Sequence, residues 1–395
     1  MLKFEINIGE IKSIYKNQIE NDENFIANYA KKINLFGSVV LCNFTSNDQL
    51  KEIFSAAECY LMMNSPNIKA IKAAIRMGVK KVIIPEKDVK YIGQKVSKKI
   101  IIARITLREE LVLDSDLKKL KDDLENVTSQ LSPYCSEILI DYNGEINTET
   151  LLGIIKILCN FNKCSITFLD LNRKNIKEME SKGINPLIRS YNLLEEKEMI
   201  NIFTSVLDFQ KQEGLIPTVI QDDHKQIIML AFSSQDSLTQ ALHQKRGIYF
   251  SRSRKSIWVK GETSGNYQTL YQARYDCDHD TLLFIVHQSG NACHLQRYSC
   301  FGDKEFTLLD FYDIIKDRIL NPVADSYTSK ISKDEELIIK KIKEESNEVV
   351  NYTNDENLIW EIADLLYFIT ILMAKKEIKL QDILNELWSR RNYGN

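Results

Sequence analysis

Over the first two hundred residues, short apolar runs alternate with segments of helical spacing. Ser38-Val39-Val40-Leu41-Cys42, Lys81 to Ile84, Lys99 to Ala103 and Glu137 to Ile140 read as strands. Between them, Asn67 to Met77 and Thr148 to Cys159 space their apolar residues as helices do. Such alternation implies a parallel sheet with crossover helices. Asn67 to Ile84 and Asn175 to Ile188 echo each other: each runs helix, glycine (Gly78, Gly183), strand, with the glycine placed to end the helix. The rhythm changes near Phe209. Gly214-Leu215-Ile216-Pro217 opens a stretch of tight turns and strands at Ile227 to Phe232, Ile248 to Phe250, Ile257 to Lys260, Tyr267 to Tyr275 and Thr281 to His287. One helix interrupts it, capped by Ser233 or Ser234, running to Arg246 and ended by Gly247. From Phe306 onward the spacing is purely helical, at Leu308 to Asp317, Asp334 to Asn351, Asn357 to Ala374 and Leu380 to Arg390. Ser332-Lys333-Asp334-Glu335 has the form of a capping box. The expected architecture is multidomain. Residues 1–207 form an α/β barrel-like or half-barrel domain, and residues 208–303 an α+β domain on a mostly antiparallel sheet. Residues 304–395 form an all-α helical bundle, or half of one completed by a dimer partner.

Composition narrows the class. The chain has 395 residues, 44% hydrophobic and 27% charged, which suits a soluble protein of several domains. A net charge of −3 gives no bulk electrostatic case for nucleic acid. Met1-Leu2-Lys3-Phe4-Glu5 lacks the apolar core of a signal peptide, so a cytoplasmic location is expected. The longest apolar helix, Leu358 to Ala374, contains Glu361 and Asp364 and is short for a membrane span. Eight cysteines at irregular spacing do not read as a disulfide framework. Cys42, Cys59, Cys135, Cys159 and Cys164 sit among apolar residues and read as small buried hydrophobes.

The remaining three cysteines keep different company. Asp276-Cys277-Asp278-His279-Asp280 is followed by Cys293-His294 and Cys300, and all five histidines fall between His224 and His294. Thiolates suit zinc and carboxylates suit magnesium. On a strand, Asp276, Asp278 and Asp280 would share a face and repel one another unless a divalent cation lies among them. Cys277, Cys293 and Cys300 would leave a tetrahedral zinc one open position for an activated water, with His294 as the proton carrier. A structural zinc is the alternative, its fourth ligand being His279, His287 or His294. Upstream, Ser251-Arg252-Ser253-Arg254 and Lys260 offer a phosphate-binding wall. The loop Gly261-Glu262-Thr263-Ser264-Gly265-Asn266 can bring backbone close to a ligand.

These motifs, with Trp258 and Ser299-Cys300-Phe301, resemble the phosphoribosyl-AMP cyclohydrolase family over roughly Phe209 to Gly302. The resemblance implies a homodimer with zinc shared between subunits, Cys277 from one and Cys293 with Cys300 from the other. It also implies magnesium on Asp276, Asp278 and Asp280, and substrate contacts from Arg252, Ser253, Arg254, Trp258, Lys260, Glu262, Ser264, Gly265 and Asn266. The implied reaction is hydrolytic opening of an adenine ring between N1 and C6, parallel to the zinc deaminases.

In the helical region, Ile338, Ile342 and Val349 set a rhythm through Glu345, which turns it toward the core. Glu361 and Asp364 share one face of an otherwise apolar helix, where unpartnered carboxylates are costly. Acidic pairs on facing helices hold hard metal ions. Glu345-x-x-Glu348 and Glu361-x-x-Asp364, with Ser326-Tyr327-Thr328 upstream, resemble phosphoribosyl-ATP pyrophosphohydrolase over roughly Thr307 to Arg391. That family implies magnesium on these carboxylates and water attack at the α–β phosphate link, with Lys330, Lys340, Lys341 and Lys343 as phosphate contacts. Phe368 stands where relatives usually have histidine, and Lys343 where glycine is common. The N-terminal pattern is similar to the (β/α) barrel of aminoimidazole-carboxamide ribotide isomerase. Its phosphate loops would fall at Met62-Met63-Asn64-Ser65 and Leu169-Asp170-Leu171-Asn172, and both lack glycine. That domain is therefore expected to be non-catalytic, with a small-molecule or regulatory role open to it. The whole reads as a cytoplasmic bifunctional hydrolase of histidine biosynthesis that binds nucleotides and needs zinc and magnesium. A broad nucleotide pyrophosphatase with a structural zinc module is the alternative enzyme. A non-enzymatic binding module would want a basic patch with interleaved aromatics, which the chain lacks.

Overall fold

The computed structural model describes residues 2–16, 24–44, 50–107, 117–141, 165–170, 176–181, 184–189 and 194–393. The helix expected over Thr148 to Cys159, Gly183, Cys159 and Cys164 lie outside the described residues. The chain divides into two compact units, residues 1–303 with 388–395, and residues 304–387.

In the first unit, β1 (Lys3–Asn7), β2 (Ser38–Cys42), β3 (Cys59–Met62), β4 (Lys81–Pro85), β5 (Ile101–Thr106), β6 (Glu137–Asp141), β7 (Ser165–Asp170) and β8 (Ile184–Ile188) pair in chain order. The ring is closed and parallel, since β1 pairs with both β2 and β8. A short chain suffices because no strand exceeds six residues and several helices are brief. The described helices are α1 (Ile8–Ile14), α2 (Phe25–Asn34), α3 (Leu50–Ala56), α4 (Ile68–Arg76), α5 (Glu86–Gly93), α6 (Leu117–Leu131), α7 (Ile176–Ser181) and α8 (Glu196–Val206). Asn67 caps α4 through the Ala70 amide, and Gly78 closes it with a φ of 102°. Strand alternation sorts the side chains into two sets. Val39, Leu41, Cys59, Leu61, Val82 and Ile84 face the helices. Val40, Cys42, Tyr60, Met62, Ile83, Ile102, Leu139 and Leu187 form a separate inner cluster. Cys42, Cys59 and Cys135 are buried, as small hydrophobes are.

The second sheet is mixed, in the order β12-β11-β10-β9-β14-β13. Its strands are β9 (Leu215–Asp222), β10 (Ile227–Ser234), β11 (Ile248–Ser251), β12 (Ser256–Val259), β13 (Gln268–Tyr275) and β14 (Leu282–Gln288). Every pairing is antiparallel except β14 with β9. Helix α9 (Gln235–Gln244) starts on a Ser234–Ser237 capping box. It ends at Lys245 in the left-handed region, φ 54°, two residues before the glycine expected to stop it. Gly247 serves a different purpose: a Cβ there would lie 2.4 Å from Gln268 Oε1. Barrel and sheet share one apolar cluster. Phe203 of α8 joins Phe36 and Tyr275 at ring distances of 6.0 and 5.5 Å. Arg274 donates to the carbonyls of Asn34 and Leu35 at the end of α2.

The second unit is helical: α10 (Leu308–Leu320), α11 (Tyr327–Ile331), α12 (Glu335–Val350), α13 (Asp355–Lys375) and the start of α14 (Leu380–Tyr393). Its core is Tyr312, Ile315, Ile331, Ile338, Phe368, Ile371 and Ala374. The cap of α12 is Asp334, which accepts from the Leu337 amide, rather than the Ser332 of the expected box. By length and composition α13 alone among the described helices could cross a membrane.

Candidate functional site

The acidic pentapeptide is a turn between β13 and β14, not the strand on which alternate aspartates would share a face. Asp276 makes the turn: its Oδ1 accepts from the amides of Asp280 and Thr281, both at 3.1 Å. His279 takes a φ of 64° and reverses the chain. The turn, rather than a pleat, brings carboxylate oxygens of Asp276, Asp278 and Asp280 within 4.8 Å of one another. Lys211, a residue without any local motif, offsets part of that charge. Its Nζ lies 3.2 Å from Asp278 Oδ2 and 3.2 Å from Asp280 Oδ2. The ammonium holds the Asp278 carboxyl below its usual range.

A barrel residue steadies the same turn. Glu180 of α7 accepts from the Tyr275 hydroxyl at 2.6 Å and lies 3.2 Å from His279 Nε2. The His279 carbonyl accepts from the Asp208 amide at 2.8 Å. This side chain is therefore turned to the barrel, and His287 is held by Asp223 at 2.8 Å. Two of the three histidines that could complete a structural zinc are thus engaged elsewhere, while His294 is exposed beside Cys293.

Cys293 and Cys300 are brought together. The Cys293 amide donates to the Arg297 carbonyl, and the Cys300 amide to Ile228 at the start of β10. Ser299 pins the same corner through the Ile227 carbonyl at 2.9 Å. Burial and the Cys293 sulfur raise the Cys300 thiol, and Lys260 opposes them. Lys260 is itself buried, which pulls its ammonium down while the two sulfurs pull it up. Cys277 is exposed on the turn, and the three Sγ atoms do not converge within one chain. The expected phosphate wall is therefore split. Arg252, Ser253 and Arg254 occupy the exposed β11–β12 hairpin turn, with Arg252 stacked 3.8 Å from the Phe232 ring and Arg254 6.0 Å from Trp258. Lys260 belongs with the thiols. Beyond it, Gly261 is fixed by close approach, since a Cβ would meet the Asn266 carbonyl carbon at 2.5 Å. Glu262, Ser264 and Gly265 are exposed on that loop, and Asn266 is half-buried with its amide on Ser264 Oγ.

The second unit holds the other acidic group. Glu345, Glu348 and Glu361 offer oxygens within 4.8 Å of one another, from α12 and α13. Glu345 is buried, as its place in the apolar rhythm demands. Burial, then Asp364, push its carboxyl above the usual range, with Lys341 opposing. Glu348 is pushed up by a hydrogen bond shared with Glu361. Asn357 fixes Glu361 at 2.7 Å. Asp364 is exposed and Glu361 half-buried, so the apolar setting expected for this pair is absent within one chain. The flank of α13 lies open instead, with Ile359 66% and Trp360 65% exposed. Phe368 is a core residue and Lys343 is exposed. Of the phosphate-contact lysines, Lys341 pairs with Glu344 at 3.0 Å, and Lys330 and Lys340 are exposed.

Comparison with known proteins matches residues 229–302 to the family "Phosphoribosyl-AMP cyclohydrolase" and residues 308–391 to "Phosphoribosyl-ATP pyrophosphohydrolase". The "Histidine biosynthesis bifunctional protein HisIE" of Pyrococcus furiosus is 39% identical over 199 residues, 47% of this chain and 95% of that protein. Its counterpart in Caldanaerobacter subterraneus is 43% identical over 193 residues, 45% of this chain and 94% of that protein. The "Histidine biosynthesis trifunctional protein" of Kluyveromyces lactis is 32% identical over 299 residues, 71% of this chain. That match is too long for the two family regions alone and takes in part of the N-terminal region. The chain spans 38% of the length of that trifunctional relative and 22% of its Saccharomyces cerevisiae counterpart.

Proposed function

The chain belongs to the family of histidine-biosynthesis bifunctional proteins, and from that premise we propose that it hydrolyses phosphoribosyl-ATP to phosphoribosyl-AMP and pyrophosphate, then opens the adenine ring of the product. One observation carries the reading. Among the described residues, only two groups of three or more metal-ligating side chains converge, and each falls inside one of the two family matches.

In the cyclohydrolase region the donor set fits two kinds of metal. Cys293 with Cys300 would supply two soft ligands for a zinc, Cys277 of a second copy the third, and Asp276, Asp278 and Asp280 would offer a hard site for magnesium. When bound, zinc supplies an acidified water and magnesium the neutralising charge. The remaining work belongs to the chain. Lys260 lies beside both sulfurs and opposes the upward shift of the Cys300 thiol. Arg252, Ser253 and Arg254 hold the substrate phosphate on the hairpin, and Trp258 lies below Arg254. The Gly261–Asn266 loop, with Glu262, Ser264 and Gly265, lines the ribose side. His294 moves the proton: water adds at C6, the N1–C6 bond breaks, and the proton ends on N1.

In the pyrophosphohydrolase region Glu345, Glu348, Glu361 and Asp364 would hold magnesium against the triphosphate. Water attacks the α phosphorus, the bond to the bridging oxygen breaks, and pyrophosphate leaves. Lys341 and its neighbours steady the released charge. The open flank of α13 supports a homodimer, as does the separation of Cys277 from the other thiols. The same reading puts the enzyme in the cytoplasm with small nucleotides as its ligands.

The test follows phosphoribosyl-ATP by ultraviolet spectrum and by pyrophosphate release. Cys293→Ala should abolish the spectral change and leave pyrophosphate release intact, and Glu361→Ala should abolish pyrophosphate release yet still open the ring of phosphoribosyl-AMP supplied directly. Pyrophosphate from ordinary nucleoside triphosphates, with no spectral change from the wild-type chain, would favour the broad pyrophosphatase instead.

A further inference from the structure

The C-terminal ends of the barrel strands open on a cavity of about 320 Å³, the small end of the range for ligand sites. This face is where barrels of this type carry their chemistry. The inward positions form layers. Toward the other end, Lys3 and Lys81 both pair with Glu137. At the mouth lie Glu5 of β1, Arg104 of β5, Asp141 of β6 and Arg189 just past β8. Arg189 is fully used, 3.2 Å from Glu5 and 3.4 Å from Asp141.

Two charges at the mouth are not used. Among the described residues Arg104 reaches only neutral groups, Asn64 Oδ1 at 2.8 Å and the Met62 sulfur at 3.1 Å, and its Nε is buried without a hydrogen-bond partner there. Glu10, in the first turn of α1, has no ion pair among the described residues. In a ring of eight strands β1 and β5 are diametrically opposed, so these two charges come from opposite sides of one cavity. A mouth that served only as filler would have paired them, as the layer below is paired, because a buried unpaired guanidinium N–H is costly.

We propose that the barrel mouth binds a small zwitterion of amino-acid size, its carboxylate on Arg104 and its ammonium toward Glu10. The charge count argues against a phosphorylated ligand. Among the described residues, Glu5, Glu10 and Asp141 face two arginines, one of them already paired, so a dianion would meet excess negative charge from them. The absence of glycine in Met62-Met63-Asn64-Ser65 removes the backbone approach that a phosphate cradle uses.

The experiment is isothermal titration calorimetry on the full chain with the common L-α-amino acids, first as a mixture and then singly, and separately with inorganic phosphate. At least one amino acid should bind saturably, one per chain. Arg104→Gln and Glu10→Gln should each weaken it at least about tenfold while pyrophosphate release stays unchanged. Glu10→Gln carries the test alone if Arg104→Gln fails to fold. No saturable binding of any amino acid overturns the proposal. So does phosphate binding as tightly as any amino acid, or an affinity indifferent to both substitutions.

Discussion

Lys211 holds two carboxylates that a magnesium ion would also claim. It is 43% exposed, and its partners Asp278 and Asp280 are 59% and 19% exposed, so the pairing is screened by solvent and weak. That is enough to compete modestly with a cation, and to relieve repulsion when none is present. Lys211→Gln should therefore tighten magnesium at the acidic turn by about two-fold or more. The magnesium concentration for half-maximal ring opening measures it. A half-saturation point that rises, or does not move, means that Lys211 is no competitor. Lys260 differs because it is buried. The groups that act on it are two sulfurs rather than carboxylates, a pairing that no local pattern around Lys260-Gly261 announces.

Among elements, α7 lies outside both family matches yet reaches the cyclohydrolase turn. Glu180 links Tyr275 at the end of β13 to His279, so it positions the turn without touching substrate. Glu180→Ala should slow ring opening about tenfold and weaken magnesium there, and leave pyrophosphate release alone. Glu180→Gln keeps an acceptor for Tyr275 and should recover part of the rate; equal damage from both would show that charge at His279, not the tether, matters. Such contacts explain what the sequence could and could not disclose. Ser38–Cys42 and Lys81–Pro85 were legible as strands because each is a compact apolar run, and α12 and α13 because their periodicity persists for several turns. The acidic turn was misread as a strand because alternate aspartates look the same in either geometry until Asp276 is seen capping the reversal. Glu180 and Lys211 were invisible because their partners lie 95 and 67 residues away. Helix α13 was read as burying Glu361 and Asp364 on account of its apolar neighbours, but those neighbours are exposed in one chain.

On the scale of the whole molecule, that exposure and the lone Cys277 both suit the homodimer proposed above. A single chain offers Cys293 and Cys300 side by side and leaves Cys277 apart, so the proposed three-thiol site would need Cys277 from a second copy. A two-fold axis would complete two such sites, because whatever one copy gives the other it also receives. Subunit mixing tests this directly. Cys277→Ser and Cys293→Ser should each lack ring opening when pure. In a mixed dimer the first variant supplies Cys293 and Cys300 while the second supplies Cys277, so one of the two sites is intact. Random reassortment makes half the dimers mixed, and ring opening should return to about a quarter of the wild-type rate. Pyrophosphate release in the same tube stays at full rate and certifies folding. If reassortment is verified by mass and ring opening stays at zero, the three thiols are gathered within one chain after all. In that case Cys277 must reach Cys293 and Cys300 by a movement of its turn, one that would have to break the Glu180 tether to His279.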